Sequence, residues 1–135
     1  MVLAADDPAN PYGASLPWPT SDAPKALRPS RSAGARVVLV EGSMRGFIGR
    51  TGERLCTFLP SGEPERSKAA HALAEAVGRG TGQVRGKRGG GAVVFKRIDG
   101  GPAADSDFAP YLLNAGFQPA AKSMHRRLGA IGAPN

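Results

Sequence analysis

The chain has 135 residues, a net charge of +7 from 18 basic and 11 acidic side chains, and as many as 19 Gly and 12 Pro. Its length fits one domain, and the Gly and Pro content predicts one modest folded unit with irregular segments. The single cysteine, Cys56, excludes an internal disulfide bond and a zinc site built from thiolates. No apolar run is long enough for a membrane span, and the acidic start lacks the apolar core of a secretory signal. We therefore predict a cytoplasmic protein with no membrane partner and no metal.

Residues 1–34 are predicted to form a proline-rich extended arm. Its six prolines are Pro8, Pro11, Pro17, Pro19, Pro24 and Pro29. Each fixes its own φ and pushes the preceding residue towards extended geometry. We expect Tyr12 and Trp18, the sole tryptophan, to dock this arm on a hydrophobic surface. Stacking of Trp18 on a nucleic-acid base is the alternative.

Three short apolar segments follow the arm and are typical of strands. They are "ARVVLVEG" (35–42), "MRGFIGR" (44–50) and "RLCTFLP" (54–60). Short turns between neighbouring strands predict an antiparallel meander. Gly46 and Gly49 are expected to weaken the second strand.

The segment "SGEPERSKAAHALAEAVGRG" (61–80) predicts a helix, because its Ala, Leu and Val residues recur at helical spacing. The glycine-rich, basic segment "TGQVRGKRGGG" (81–91) predicts a loop. It is not a Walker A motif, because three residues instead of four separate its first glycine from Gly-Lys, and Arg88 occupies the hydroxyl position. The chain is therefore not an ATPase on its own.

The rest of the chain predicts a strand at "AVVFKRIDG" (92–100), a short helix at "DFAPYLLNAG" (107–116) and a last strand at "KSMHRRL" (122–128). Phe117 is expected to fold back on Leu112 or Leu113 after the helix ends. The element order β-β-β-α-β-α-β indicates an α+β domain over 35–128. We expect two helices on one face of a small antiparallel sheet, followed by a flexible tail over 129–135.

The positive charge is concentrated in one part of the chain, because residues 78–98 carry six basic side chains and no acidic one. A local basic patch suits a phosphate backbone, which such residues contact without reading bases. The candidate nucleic-acid contacts are Arg79, Arg85, Lys87, Arg88, Lys96, Arg97, Lys122, Arg126 and Arg127. The alternative is a solvated basic loop that aids solubility.

No candidate catalytic group emerges from the sequence. Two histidines in unrelated contexts and the lack of a GxSxG motif give no support for a nucleophilic triad. Asp99, Asp105 and Asp107 lie close together in sequence, and we interpret them as turn and helix-capping residues rather than an acid–base pair.

Six segments, taken in chain order, carry a family resemblance. They are "DPANPYGASLPWP", "RSAGARVVLVEG", "LCTFLP", "AAHALAEAV", "VVFKRIDGGP" and "YLLNAGFQPAAKSMHRRL". Together they resemble the C-terminal domain of bacterial large helicase-related (Lhr-type) superfamily 2 ATP-dependent DNA helicases. The likeness runs from Asp6 to Leu128, and the arm combined with the "AGFQP" ending is its most specific part.

The resemblance implies a DNA-repair helicase with two RecA-like motor domains, winged helices and a glycosylase-like C-terminal region. The motor motifs are missing from this chain, so we interpret it as a fragment, from a truncated or split gene, that is not an enzyme on its own. It needs no cofactor, since ATP and Mg would belong to the missing motor domains. DNA is the expected partner, together with a helicase body encoded separately. Gly46 and Gly49, where the family tends to have bulky apolar residues, and the enlarged segment 78–91 suggest erosion.

Three functions remain open from the sequence. The first is a non-catalytic, nucleic-acid-associated domain that contacts the DNA backbone through its basic loop. The second is a structural or protein-docking module, or an orphaned piece of the helicase. The third is a remnant of a DNA glycosylase, which needs a base pocket that the sequence does not reveal.

Overall fold

The computed structural model describes residues 1–19, 28–80 and 92–127, and it confirms the predicted α+β class. The strands in these ranges are β1 (Val2–Ala4), β2 (Arg36–Val40), β3 (Ser43–Ile48), β4 (Arg54–Thr57), β5 (Ala92–Phe95), β6 (Arg97–Ile98), β7 (Gly101–Pro102), β8 (Gln118–Ala120) and β9 (Ser123–Arg127). The helices are α1 (Glu65–Gly80) and α2 (Ala109–Asn114), and a 3-10 turn covers Ala103–Asp105. Every strand and helix predicted from the sequence therefore overlaps an observed one, whereas β1, β7 and β8 were not predicted.

The strands form two sheets in the described residues, whereas the sequence analysis predicts one. The larger sheet has the order β1-β2-β3-β4-β6-β7, and the smaller has the order β5-β9-β8. The strand pairs are antiparallel except for β4 and β6, which run parallel. The predicted strand 92–100 is interrupted at Lys96, whose N–H donates to the Glu53 carbonyl (2.8 Å) and whose carbonyl accepts from Ala103 N–H (3.1 Å). Its two parts, β5 and β6, consequently join different sheets.

Both faces of the larger sheet are buried, and each face contributes to its own hydrophobic cluster. Ile48 and Leu55 belong to the cluster under α1, which we call the helix face. Phe47 and Cys56 belong to a second cluster, which we call the arm face. This division follows from the pleat, since successive residues point to opposite sides of a strand. A bulge in the β2–β3 pairing shifts the alternation, so that Met44 also lies on the arm face.

Helix α1 approaches the helix face closely because Gly46 lies beneath it in β3. A Cβ atom at Gly46 would lie 2.8 Å from Leu73 Cδ1 and 3.5 Å from Leu55 Cδ1. Leu73 is fully buried, so the side chain has little freedom to withdraw. Gly46 therefore leaves the space that Leu73 occupies against the sheet.

The arm begins with an edge strand that the sequence analysis did not predict. β1 pairs antiparallel with β2, with Leu3 opposite Val37. The N-terminal amine of Met1 extends this pairing by donating to the Leu39 carbonyl at 2.9 Å. Three residues are too few to show an alternating pattern, which is why sequence periodicity missed the strand.

After β1 the arm crosses the arm face of the larger sheet. The Trp18 ring packs edge-on against Phe47 with ring centroids 6.1 Å apart. The Tyr12 hydroxyl accepts a hydrogen bond from Met44 N–H at 3.3 Å. Both aromatic side chains are packed against the arm-face cluster. The arm is thus a second layer over the sheet, opposite α1.

Polar side chains hold the arm in this position. Asn10 is 1% exposed, and its amide donates to the Ala5 carbonyl (2.8 Å) while its oxygen accepts from Tyr12 N–H (3.0 Å). Arg31 Nη1 donates to the carbonyls of Asn10 (3.0 Å) and Tyr12 (2.8 Å). A proline-rich segment cannot form a regular ladder, so its backbone groups need such side-chain partners.

The smaller sheet contributes side chains to the same helix-face cluster. Phe95 stacks on Phe117 with ring centroids 5.9 Å apart, and Met124 is buried in the same cluster. Helix α2 is followed by Gly116, whose φ is +98°, and Phe117 N–H then donates to the Leu112 carbonyl at 2.9 Å. The predicted return of Phe117 onto Leu112 is confirmed.

Candidate nucleic-acid interface

The predicted basic residues that the structure describes do not form one surface, because they are divided between the two ends of β5. Arg126 and Arg127 lie opposite Val93 and Ala92, at the start of β5. Lys96 and Arg97 follow its other end. The two ends are about 13 Å apart, because β5 has four residues. We call these two groups the loop end and the turn end.

The loop end gathers residues that are far apart in sequence. Arg126 Nη1 donates to the carbonyl of Gly78 in the last turn of α1 at 2.8 Å. Arg79 follows directly and is exposed, with Nη1 3.9 Å from the Glu75 carboxylate. Arg85, Lys87 and Arg88 lie in segment 81–91, outside the described residues. That segment connects α1 to β5, so both of its attachment points lie at the loop end.

The turn end carries Lys96, Arg97 and Lys122, and two of these have acidic neighbours. Lys96 Nζ lies 3.4 Å from Glu53, and Lys122 Nζ lies 3.6 Å from Asp105. Both pairs are exposed, and exposed pairs contribute about 0–1 kcal/mol. Such weak pairs can exchange for phosphate contacts. Arg97 is exposed and makes no ion pair within the described residues.

A third basic site, which the sequence analysis missed, lies where the arm returns to the sheet. A cavity of about 570 Å³ is lined by three arginines, Arg28, Arg50 and Arg54, and we call it the arginine pocket. All three arginines are exposed, and none forms an ion pair with another described residue. The other lining residues are Ser30, Ser32, Ala33, Gly34, Ala35, Phe47, Gly49 and Thr51, and none of them is acidic.

Two tight turns shape the arginine pocket. On the arm side, Gly34 has a φ of +90° and lies against Arg50, whose carbonyl would be 3.7 Å from a Cβ at that position. On the sheet side, Gly52 has a φ of +82° and its N–H donates to the Gly49 carbonyl at 2.9 Å. Its arginines are spread over residues 28–54 among acidic neighbours, so local charge counts could not reveal the pocket.

The structure also brings together the three aspartates that the sequence analysis interpreted as turn and capping residues. Asp99, Asp105 and Asp107 line a cavity of about 430 Å³, which we call the aspartate pocket. The remaining polar lining residues are Thr57, Arg66, Ser106 and Tyr111. The turn interpretation is accurate for Asp99, which has a φ of +53° and accepts hydrogen bonds from Thr57 N–H (2.7 Å) and Oγ1 (2.6 Å).

Over residues 1–19, 28–80 and 92–127, no group of three His, Cys, Asp or Glu side chains is arranged to hold a metal ion. Neither described helix has the length and apolar character that crossing a bilayer requires.

Sequence comparison gives two curated relatives. A stretch of 80 residues is 49% identical to the "Lhr helicase/ probable uracil glycosylase" of Mycolicibacterium smegmatis, and it covers 59% of this chain and 5% of the relative. A stretch of 79 residues is 35% identical to the "Lhr helicase/uracil glycosylase" of Escherichia coli, covering 58% of this chain and 5% of the relative. No protein-family model matches. The resemblance to Lhr-type helicases is thereby confirmed for more than half of the chain, which spans only a small part of each relative's length.

Proposed function

We propose that this chain is a non-catalytic, DNA-associated region of an Lhr-type helicase that acts in DNA repair and contacts the phosphate backbone. The similarity to two Lhr helicases carries the proposal, because a helicase works on nucleic acid. The charge distribution supports it, since the loop end and the turn end both present cations to solvent. ATP and Mg would act in the motor domains of such a helicase.

A salt series tests the proposal. We expect fluorescence anisotropy with labelled single- and double-stranded DNA to show affinity that falls as salt rises. Each phosphate contact contributes about −0.9 to the slope of log K against log salt on duplex DNA, and about −0.7 on single strands. Binding that does not change with salt, or no binding at low salt, would overturn the proposal. The second outcome would favour a protein-docking role.

Variants of the basic segment 81–91 and of the turn end locate the contact. Replacing Arg85, Lys87 and Arg88 together by alanine should weaken binding and flatten the slope by about 2–3. Arg97→Ala should flatten it by about 1. Lys68→Ala is the matched control, because it also removes one exposed cation but lies on α1 near its start. An equal effect of Arg97→Ala and Lys68→Ala would show that net charge alone matters.

The aspartate pocket supports a second candidate, a glycosylase activity of the kind that both relatives' names include. Base removal needs a pocket for an extruded base, and this cavity of about 430 Å³ is lined by the half-buried ring of Tyr111, which can stack on a base. A carboxylate beside the base, such as that of Asp107, could serve as general base for water. Release of uracil from DNA by the intact chain, lost in Asp107→Asn, would support this candidate. No release by the intact chain would contradict it.

A further inference from the structure

We infer that the arginine pocket binds a phosphate group of DNA. This inference deepens the proposed function and depends on it for the identity of the partner. A phosphate is matched by several N–H donors, and the guanidinium of arginine can bind two of its oxygens at once. Arg28, Arg50 and Arg54 supply three such groups around one cavity, without an acidic lining residue to neutralise them.

The neighbouring polar groups fit an anion as well. Ser30 Oγ and Ser32 Oγ are 2.7 Å apart, so one hydroxyl donates to the other and the pair retains a hydroxyl proton for a ligand. The cavity of about 570 Å³ exceeds what a single phosphate group needs, so a sugar and an adjoining nucleotide can enter with it.

The pocket is continuous with Arg97 at the turn end. Arg54 and Arg97 are opposite each other in the parallel β4–β6 pair, where strands lie about 4.8 Å apart. The residues that follow them, Leu55 and Ile98, both belong to the helix-face cluster. Because successive residues alternate between faces, Arg54 and Arg97 both project on the arm side of the sheet. Arg97 is therefore placed beside the pocket, where it can contact a neighbouring phosphate of the same DNA strand.

The test uses the full chain and two triple variants of Arg28, Arg50 and Arg54. Changing all three to alanine should weaken DNA binding and flatten the salt slope by about 2–3, the value for three lost phosphate contacts. Changing all three to lysine retains the charge but removes the planar fork, so we expect an intermediate affinity. Circular dichroism checks folding, and the single change Arg50→Ala, at an exposed side chain, replaces the triple variant if that variant is unfolded.

The outcomes separate this inference from the proposed function. If the alanine variant binds DNA as tightly as the wild type and with the same salt slope, the pocket does not bind phosphate. The proposed function would still hold in that case. No wild-type binding at low salt would overturn both. Equal affinity of the lysine variant and the wild type would show that only the positive charge matters. That result would contradict a specific phosphate site in the pocket.

Oligonucleotides with and without a 5′-phosphate identify which phosphate is bound. If the pocket binds a terminal phosphate, the wild type should prefer the phosphorylated strand, and the alanine variant should lose that preference. If it binds an internal phosphodiester, the alanine changes should weaken both oligonucleotides equally. Either result supports the pocket, provided that the variant binds more weakly than the wild type.

Discussion

The two faces of the larger sheet are covered by different kinds of structure. On the helix face, α1 packs a regular row of apolar side chains into the sheet and needs Gly46 to approach closely enough. On the arm face, a proline-rich segment with little regular structure is held by two aromatic rings and by the polar contacts of Asn10 and Arg31. One face of a sheet can therefore be covered by a regularly packed helix, and the other by an irregular segment that aromatic contacts and specific hydrogen bonds hold in place.

The largest expected effect tests the packing of the helix face. Leu73→Ala should cost about 2–5 kcal/mol, because it leaves a cavity at a fully buried position. Gly46→Val should cost about 1–3 kcal/mol, because its side chain would occupy the space of Leu73. The double variant should lose less than the sum of the two in urea denaturation, since each change relieves the other.

Gly62→Ala is the matched control for Gly46. A Cβ at Gly62 would meet no atom within 4 Å, so this change should leave stability within about 0.5 kcal/mol. Strict additivity of the Leu73 and Gly46 changes would mean that the close approach does not determine packing on this face.

The next effect tests the hydrogen bonds of the arm face. Asn10→Ala should cost about 1–3 kcal/mol, because it leaves the buried Ala5 carbonyl and Tyr12 N–H without their side-chain partner. Thermal unfolding followed by circular dichroism measures the change. Asn114→Ala, at an exposed position at the end of α2, should be nearly neutral. Equal losses in the two variants would contradict a specific role for Asn10.

The smallest effect concerns one hydroxyl group. Tyr12→Phe keeps the ring but removes the acceptor for Met44 N–H, so we expect a loss of about 0.5–1.5 kcal/mol. Trp18, the sole tryptophan, reports on the arm directly through its fluorescence in urea. Tyr111→Phe removes a hydroxyl that contacts Ser67 on α1 instead, and it provides the comparison on the helix side. If Tyr12→Phe loosens only the arm, its Trp18 fluorescence should change at a lower urea concentration than its circular dichroism. In Tyr111→Phe the two signals should change together.

The two faces also differ in how far sequence could predict them. The spacing of Leu73 and its neighbours is sufficient to predict α1 and its apolar side, because a helix repeats its surface every few residues. The arm has no repeating apolar pattern. Its edge strand β1 and the hydrogen bonds of Arg31 were therefore not predicted. The distribution of charge along the sequence identified the cations of the loop end and the turn end. It did not show that they lie at two separate places.

Sequence alone was enough to predict the α+β class, both helices, five of the strand segments and the resemblance to Lhr-type helicases, but not the short strands β1, β7 and β8. These depend on local propensity, periodicity and motif, which are all written within short stretches of chain. Tertiary structure alone decided that the strand 92–100 divides between two sheets, that Gly46 serves close packing, and that Arg28 meets Arg50 and Arg54. Each of these depends on contacts between residues distant in sequence, and such contacts are fixed only when the arm, the sheet and the helix pack together.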